Sequence, residues 1–340
     1  MKAIILAGGE GTRLKAVTGD TPKPMVPLLG RPLMEYTIRL LRQHGLTEIC
    51  AAVRYRAEEI MARFGDGHEL GVSLSYRAET EAWGTAGAVR RCRDFIGAEN
   101  VLIISGDAAC DFDLGSLYRQ HRERQAAATL ALCRVSEPLR FGLTVTDTEG
   151  WIRAFIEKPD WRHVVTDLVN TGIYVLSPRA LEAIPADRPY DFAKDLFPAL
   201  LREGQPLLGA ALKGYWRDVG TPLSYYQCCV DALEGRLQLP CDPAFRPAEA
   251  PAETAEAEEG FTLDCPCRNR AEVMGALSEG LMDLRPDYSD GLRLDAAGYR
   301  LHIAPLPAAS ALRVCVQAED TEFARSLAFS ARDLIRVLEG

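Results

Sequence analysis

The sequence has no apolar run approaching the roughly 20 residues that a bilayer-spanning helix needs, so no transmembrane segment is expected. It also lacks an excess of positive charge. Its 39 lysines and arginines stand against 48 aspartates and glutamates, a net charge of −9, which argues against a nucleic-acid-binding surface. Basic residues that meet a ligand must therefore form a local cluster in an acidic protein. Cysteine is present at ten positions, but paired metal-site spacing is absent. Cys265 and Cys267 have no second pair, Cys228-Cys229 fall in an expected helix, and most of the others sit in apolar runs. Buried or free thiols in a reducing cytoplasm are expected, not zinc or a disulfide framework. The amino terminus runs directly into an apolar β-rich segment, so no signal peptide is expected.

What is present is concentrated in the first two dozen residues. Lys2-Ala-Ile-Ile-Leu6-Ala7 reads as a buried strand that feeds into Gly8-Gly9-Glu10-Gly11-Thr12-Arg13-Leu14, with Thr21-Pro22-Lys23-Pro24 following. Gly8, Gly9 and Gly11 let the backbone approach a ligand and turn successive N–H groups onto an anion. Arg13 adds a planar cationic fork suited to phosphate oxygens, and Lys23 a compact point charge. Pro22 and Pro24 fix the backbone on both sides of that lysine. The stretch has the makings of a triphosphate site. A Walker A loop is excluded, because the segment ends in Gly11-Thr12-Arg13 and lacks Gly-Lys-Ser/Thr. The spacing of a dinucleotide fingerprint is missing as well. Taken alone, a glycine-rich surface turn after an edge strand remains the competing reading.

Further along, helical and strand patterns alternate. A helix bracketed by Pro32 and Gly45, a strand over 49–53, a helix over 58–64, strands over 72–76 and 101–105, and a helix over 114–124 are expected. That alternation predicts an α/β fold around a Rossmann-like, mixed but mostly parallel sheet. Ligands of such sheets collect at the carboxyl ends of the strands. Two segments leave those ends. Gly84-Thr85-Ala86-Gly87 is expected to offer a flat backbone surface for a base, ahead of a helix over 88–95, and Ser105-Gly106-Asp107 places a carboxylate. Asp107 is open to a second reading as a turn residue, and Glu79 to one as a solvated loop residue.

The combination resembles the sugar-1-phosphate nucleotidyltransferases. It runs in order through Gly-Gly-x-Gly-Thr-Arg-Leu, Thr-Pro-Lys-Pro, Gly84-Thr85-Ala86-Gly87, Ser105-Gly106-Asp107, Phe141-Gly142, Glu157-Lys158-Pro159, Asn170-Thr171-Gly172 and Trp216-Arg217-Asp218-Val219-Gly220, across about residues 1–230. The resemblance implies transfer of a nucleotidyl group from an NTP to a sugar 1-phosphate, with Mg²⁺ held by Asp107 and Asp218. It implies nucleotide contacts from Leu6 through Gly9, Gly11, Thr12, Arg13, Lys23, Glu79, Gly84 and Thr85. Lys158 would hold the sugar phosphate, with Gly142, Glu157, Asn170 and Gly172 around the sugar. A carboxylate at Glu79 could accept from the N1 and N2 donors of guanine, which favours GTP.

The chain is expected to divide into a catalytic domain over 1–235, an acidic Pro/Ala/Glu-rich linker over 236–260 and a small α+β domain over 261–340. No hexapeptide repeat follows the catalytic segment. The last domain resembles the carboxyl-terminal domain of phosphohexomutases through Val273-Met274, Asp290-Gly291-Leu292 and Leu312 to Glu319. Its loop Ala304-Pro305-Leu306-Pro307-Ala308-Ala309-Ser310 lacks the arginine and most hydroxyls of that family, so a non-catalytic role, as in assembly, is expected. GTP with mannose 1-phosphate is the favoured substrate pair. Heptose-phosphate guanylyl transfer, uridylyl or cytidylyl transfer, and a non-catalytic nucleotide-sugar-binding regulator stand as alternatives. Small-molecule partners are expected, with no nucleic acid, no membrane and a possible homo-oligomer.

Overall fold

The computed structural model describes residues 1–14, 20–135, 138–157, 164–233, 235–240, 256–257, 260–267, 270–281, 287, 291–296, 299–306, 311–318 and 321–339. The chain divides into two compact units, residues 1–10 with 34–218 and residues 11–33 with 219–340. Lys158 lies outside the described residues, as do the side chains of Arg13 and Glu157 and most of the expected linker.

The first unit is built on one mixed sheet. Its strands are β1 (Lys2–Ala7), β2 (Glu48–Val53), β3 (Ser73–Ala78), β4 (Val101–Ser105), β6 (Ala128–Arg134), β7 (Gly142–Thr146), β8 (Ile152–Glu157), β9 (Leu168–Leu176) and β10 (Leu207–Ala211), while β5 (Ala108–Cys110) stands outside it. The order is β8-β7-β9-β4-β1-β2-β3, with β6 on β9 and β10 on β6. The strands β4, β1, β2 and β3 are parallel neighbours. Ala3, Ile4 and Ile5 of β1 and Val101 to Ile104 of β4 are buried to within 1% of full enclosure, as central strands covered on both faces must be. The antiparallel strands β7, β8 and β9 extend the sheet on the β4 side.

Helices α1 (Leu33–Gln43), α2 (Ala57–Phe64), α3 (Gly84–Arg91) and α4 (Leu114–Glu123) follow strands as expected. Asp113 caps α4 by accepting from the Ser116 N–H at 2.9 Å, and Ser177 caps α5 (Pro178–Glu182) by accepting from Ala180 N–H, with proline at its first turn. A π-helical turn, Phe192–Leu196, runs into α6 (Phe197–Arg202). Phe192 and Phe197 pack on Tyr174 with ring centroids 5.1 and 4.9 Å away, which anchors that turn to β9.

The second unit contains α7 (Pro222–Leu233), α8 (Arg270–Leu281) and α9 (Thr321–Glu339). Strand β11 (Trp216–Asp218) of the first unit pairs with β5; the antiparallel sheet of the second unit runs from the two-residue strand Glu256–Ala257 through β12 (Gly260–Pro266), β15 (Ala311–Ala318) and β14 (Tyr299–Pro305) to β13 (Leu292–Ala296). Ala324, Leu327, Ala328, Ala331, Leu334 and Ile335 form the buried stripe of α9, spaced three and four residues apart as an amphipathic helix requires. The other sheet face carries the Arg313–Asp264 fork, 2.7 and 2.8 Å. Residues 307–310 of the expected phosphate loop lie outside the described residues. Among the described residues no helix is long and apolar enough to cross a membrane.

Candidate active site

The parallel registers bring the carboxyl ends of four strands level. Ala7 pairs with Val53 and Val53 with Ala78, while Leu6 pairs with Ser105 on its other side. The chain therefore leaves the sheet along one edge at Gly8, Glu79 and Gly106. The edge is tight where Gly106 passes β1. Its N–H donates to Leu6 O at 2.9 Å, and a Cβ there would lie 2.9 Å from Ile5 Cγ2 and 3.2 Å from Leu6 O. Only glycine fits such an approach.

The two carboxylates read as metal ligands come from segments 111 residues apart in sequence numbers 107 and 218. An antiparallel pair unites them. Strand β11 lies on β5 with Asp218 opposite Ala108 and Trp216 opposite Cys110, so Asp218 stands across from the residue next to Asp107. Asp107 Oδ1 accepts from Ser105 Oγ, and Asp111 Oδ1 accepts from Tyr215 N–H at 2.6 Å, which ties the two segments together a second time. Both aspartates are partly exposed. Among the described residues no group of three or more His, Cys, Asp and Glu side chains gathers as a metal site. Two carboxylates nevertheless suit Mg²⁺, a hard ion that takes one or two of them and completes its shell with water and substrate phosphates.

The residues that the resemblance assigns to the sugar lie on strands next to this pair. Glu157 is in register with Gly142 at one end of the β7–β8 hairpin, and Leu143 pairs with Val169. Asn170 Oδ1 accepts from Gly172 N–H at 3.0 Å, and Gly172 has φ +79° with its Cβ position 3.5 Å from Ser105 Cβ. The Trp216 indole donates to Thr171 O at 3.0 Å and its ring meets Phe141 edge-on at 5.5 Å. Asn170 to Gly172 lie within β9, where the pairing with β6 shifts between Asn170 and Tyr174. Gly172 permits that bulge.

Among the residues that the resemblance assigns to the nucleotide, a Cβ on Gly8 would approach Glu79 Oε2 to 3.8 Å. Glu79 Oε1 is buried without a hydrogen-bond partner. Burial raises the carboxyl pKa above its ordinary 4.5, opposed by the nearby charges of Arg91 and Arg54. An acceptor so placed is costly unless a donor arrives.

The structure corrects the reading of Gly84 to Gly87. These residues are the first turn of α3, which begins at Gly84 and ends at Arg91, not a flat surface ahead of a later helix. Gly84 has φ +72°, and its Cβ position lies 2.5 Å from Tyr190 O, which accepts from the Ala86 and Gly87 N–H groups at 3.0 and 2.9 Å. Thr85 Oγ1 donates to Asp191 Oδ2 at 2.8 Å and accepts from Phe192 N–H at 3.0 Å. The hydroxyl thus fastens the turn to the π-helical segment. Asp191 also accepts from Ala193 and Lys194 N–H, and no motif in the sequence pointed to it. Asp191→Ala is expected to lower stability by about 0.5–2 kcal/mol through the lost cap, read by thermal unfolding, and to raise the nucleotide Kd because α3 loses its tether.

Gly11, Thr12, Arg13 and Lys23 belong to the second unit. Thr12–Leu14 is a 3-10 turn in which Leu14 N–H donates to Gly11 O at 2.8 Å. Gly11 has φ +63°, and its Cβ position lies 3.0 Å from Lys23 Cβ. The glycine is thus required by both conformation and crowding. Lys23 is 7% exposed and starts a second 3-10 turn, Lys23–Met25, after Pro22 at φ −62°. The flanking prolines restrain its backbone as the sequence implied.

Residues 2–235 match the family model described as "Nucleotidyl transferase". The chain belongs to the nucleotidyl transferase family. It is 38% identical over 251 residues to a UTP–glucose-1-phosphate uridylyltransferase of Synechocystis, covering 70% of this chain and 65% of that one. It is 32% identical over 262 residues to a mannose-1-phosphate guanylyltransferase of Mycobacterium tuberculosis, covering 77% and 72%. The chain thus spans somewhat under two thirds of the first of these relatives. Among solved structures, HddC from Yersinia pseudotuberculosis complexed with GMP-PN superposes with a TM-score of 0.60 at 28% identity, over 68% of this chain and 99% of that one. The resemblance to sugar-1-phosphate nucleotidyltransferases holds, and the family match ends at residue 235, before the carboxyl-terminal sheet.

Proposed function

We propose that this chain transfers a nucleotidyl group from an NTP, GTP in the first instance, to a sugar 1-phosphate such as mannose 1-phosphate. The observation that carries the reading is the β5–β11 register, with Asp218 opposite Ala108 and so beside Asp107 at the edge where four parallel strands end. An oxygen of the sugar phosphate attacks the α-phosphorus in line. The bond to the bridging oxygen breaks and pyrophosphate leaves with that electron pair. The attacking oxygen is already anionic, so positioning and charge stabilisation suffice and no side-chain nucleophile is required.

In this reading the backbone from Leu6 to Gly9 and at Gly11 and Thr12 cradles the triphosphate. Arg13 and Lys23 stabilise its negative charge, while Lys158 holds the acceptor phosphate. Gly142, Glu157, Asn170 and Gly172 surround the sugar. Asp107 and Asp218 would hold Mg²⁺, which when bound neutralises phosphate charge. The reaction is checked by Mg²⁺-dependent pyrophosphate release over four NTPs and a panel of sugar 1-phosphates. Silence across the panel, with a nucleotide sugar still bound, would replace the enzyme reading by a regulatory one.

Guanine is favoured by Glu79, whose buried Oε1 lacks a donor. Guanine presents two donors, N1–H and the N2 amino group, whereas uracil presents one between two acceptors. Donors from the base stabilise the carboxylate, so binding must lower a pKa that burial has raised. GTP affinity is therefore expected to strengthen as pH rises from 4.5 through the raised Glu79 pKa and then level off. Glu79→Gln should flatten that profile relative to wild type, and ITP, which lacks the N2 amino group, should bind more weakly than GTP by about tenfold. Calorimetric Kd values across pH check both. Equal affinity for GTP, ITP and UTP would remove Glu79 from base selection.

A further inference from the structure

A cavity of about 430 Å³ lies at the end of the sheet remote from the carboxylates. Val101, Ala128, Leu176 and Leu207 are side by side there, because Leu176 pairs with both Val101 and Ala128 and Leu207 with Ala128. The loops that lead into β4, β6 and β10 and away from β9 consequently meet. They line the cavity with Asn100, Arg122, Gln125, Ser177, Arg179 and Gln205. Every one of these residues belongs to the first unit.

Three features fix the chemistry of an occupant. Arg122 and Arg179, both exposed, take part in no ion pair among the described residues, the Arg122 guanidinium lying 5.9 Å from the Tyr118 ring centroid, so two cationic residues line one cavity of an acidic protein without a carboxylate to balance them. Gln205 Oε1 is buried without a hydrogen-bond partner, which costs the desolvation of that acceptor until a donor reaches it. His121 adds no charge, since burial depresses its pKa to about 4, and its Nδ1 is within hydrogen-bond distance of Thr129 Oγ1 at 2.9 Å. An anion alone would satisfy the arginines and leave Gln205 unpaired. A neutral polyol would do the reverse. The volume falls in the range of small-molecule sites, about 300–1,000 Å³.

We propose that this cavity binds a small phosphate monoester that also carries hydroxyl groups, of hexose phosphate size, with Arg122 and Arg179 on the phosphate and a hydroxyl donating to Gln205 Oε1. The site is separate from the catalytic edge and uses none of its residues. Isothermal titration of the full chain with a set of hexose 6-phosphates tests it, with inorganic phosphate as the anion-only probe and free hexose as the hydroxyl-only probe. At least one hexose 6-phosphate should bind about tenfold more tightly than either partial probe. The double variant Arg122→Gln/Arg179→Gln should lose about tenfold in that affinity, whereas Gln205→Leu should erase the advantage over inorganic phosphate and leave phosphate binding intact. Pyrophosphate release in the absence of hexose 6-phosphate should be the same in all three proteins. Unchanged affinity in the double variant, or no binding of any hexose 6-phosphate at millimolar concentration, would overturn the assignment.

Discussion

Asp107→Asn is expected to lower the rate of nucleotidyl transfer by about 10²–10⁴-fold while leaving thermal unfolding close to wild type. The substitution keeps shape and removes charge at the turn where Ser105 Oγ donates to the aspartate. Folding relies little on that charge, because the segment is held by Gly106 N–H on Leu6 O and by the β5–β11 pair. Asp218→Asn should behave alike. The double variant should be little worse than either single one, since groups that act as a unit give non-additive losses. Asp113→Ala provides the contrast. Asp113 accepts from the Ser116 N–H as the cap of α4, so its loss should reduce stability slightly and spare turnover. Steady-state kinetics with a melting curve for each variant separates these outcomes, and near-normal turnover of Asp107→Asn would remove it from the chemistry.

The second large effect is structural. Gly84→Ala should destabilise by about 3–5 kcal/mol. An L-residue at φ +72° is strained, and the added Cβ would lie 2.5 Å from Tyr190 O. That oxygen cannot retreat cheaply, because it accepts from two N–H groups of the first turn of α3. Gly45 has nearly the same φ, +74°, with nothing within 4 Å of its Cβ position, and it sits at the left-handed end of α1, where Leu46 N–H donates to Leu41 O, so Gly45→Ala should cost only the left-handed backbone term, about 1–2 kcal/mol. At about 2–4 °C per kcal/mol for a domain of this size, the two melting temperatures should differ by several degrees. Equal shifts would show that strain alone governs Gly84 and that the contact with Tyr190 is unimportant.

The sequence carried the parts of the site that follow from chain-local rules. Continuous apolar runs marked β1 and β4, and the alternation of elements implied an edge where Gly8, Glu79 and Asp107 emerge together. Nine described cysteines form no disulfide and seven of them are buried, as their apolar settings implied. What stayed hidden depends on pairings distant in sequence. No local signal could reveal that β11 would lie on β5 and set Asp218 opposite Ala108. The glycines of Gly84 to Gly87 looked like a loop because Gly is a poor helix former; Tyr190 O and Asp191, about a hundred residues away, recruit them into a helical turn. The strand Leu207–Ala211 went unread, since Leu-Leu-Gly-Ala-Ala has neither β-branched residues nor alternation. Gly209 is instead demanded by packing, its Cβ position lying 2.7 Å from Leu132 Cδ1 and 2.8 Å from Thr146 Cγ2.

The most direct test of nucleotidyl transfer uses GTP labelled with ³²P at the α-phosphate, together with mannose 1-phosphate and Mg²⁺. Label should pass to a nucleotide sugar while the released pyrophosphate remains unlabelled, and Asp107→Asn should suppress the transfer. If no label reaches a sugar phosphate from any α-labelled NTP across the sugar panel, the chain does not perform this reaction.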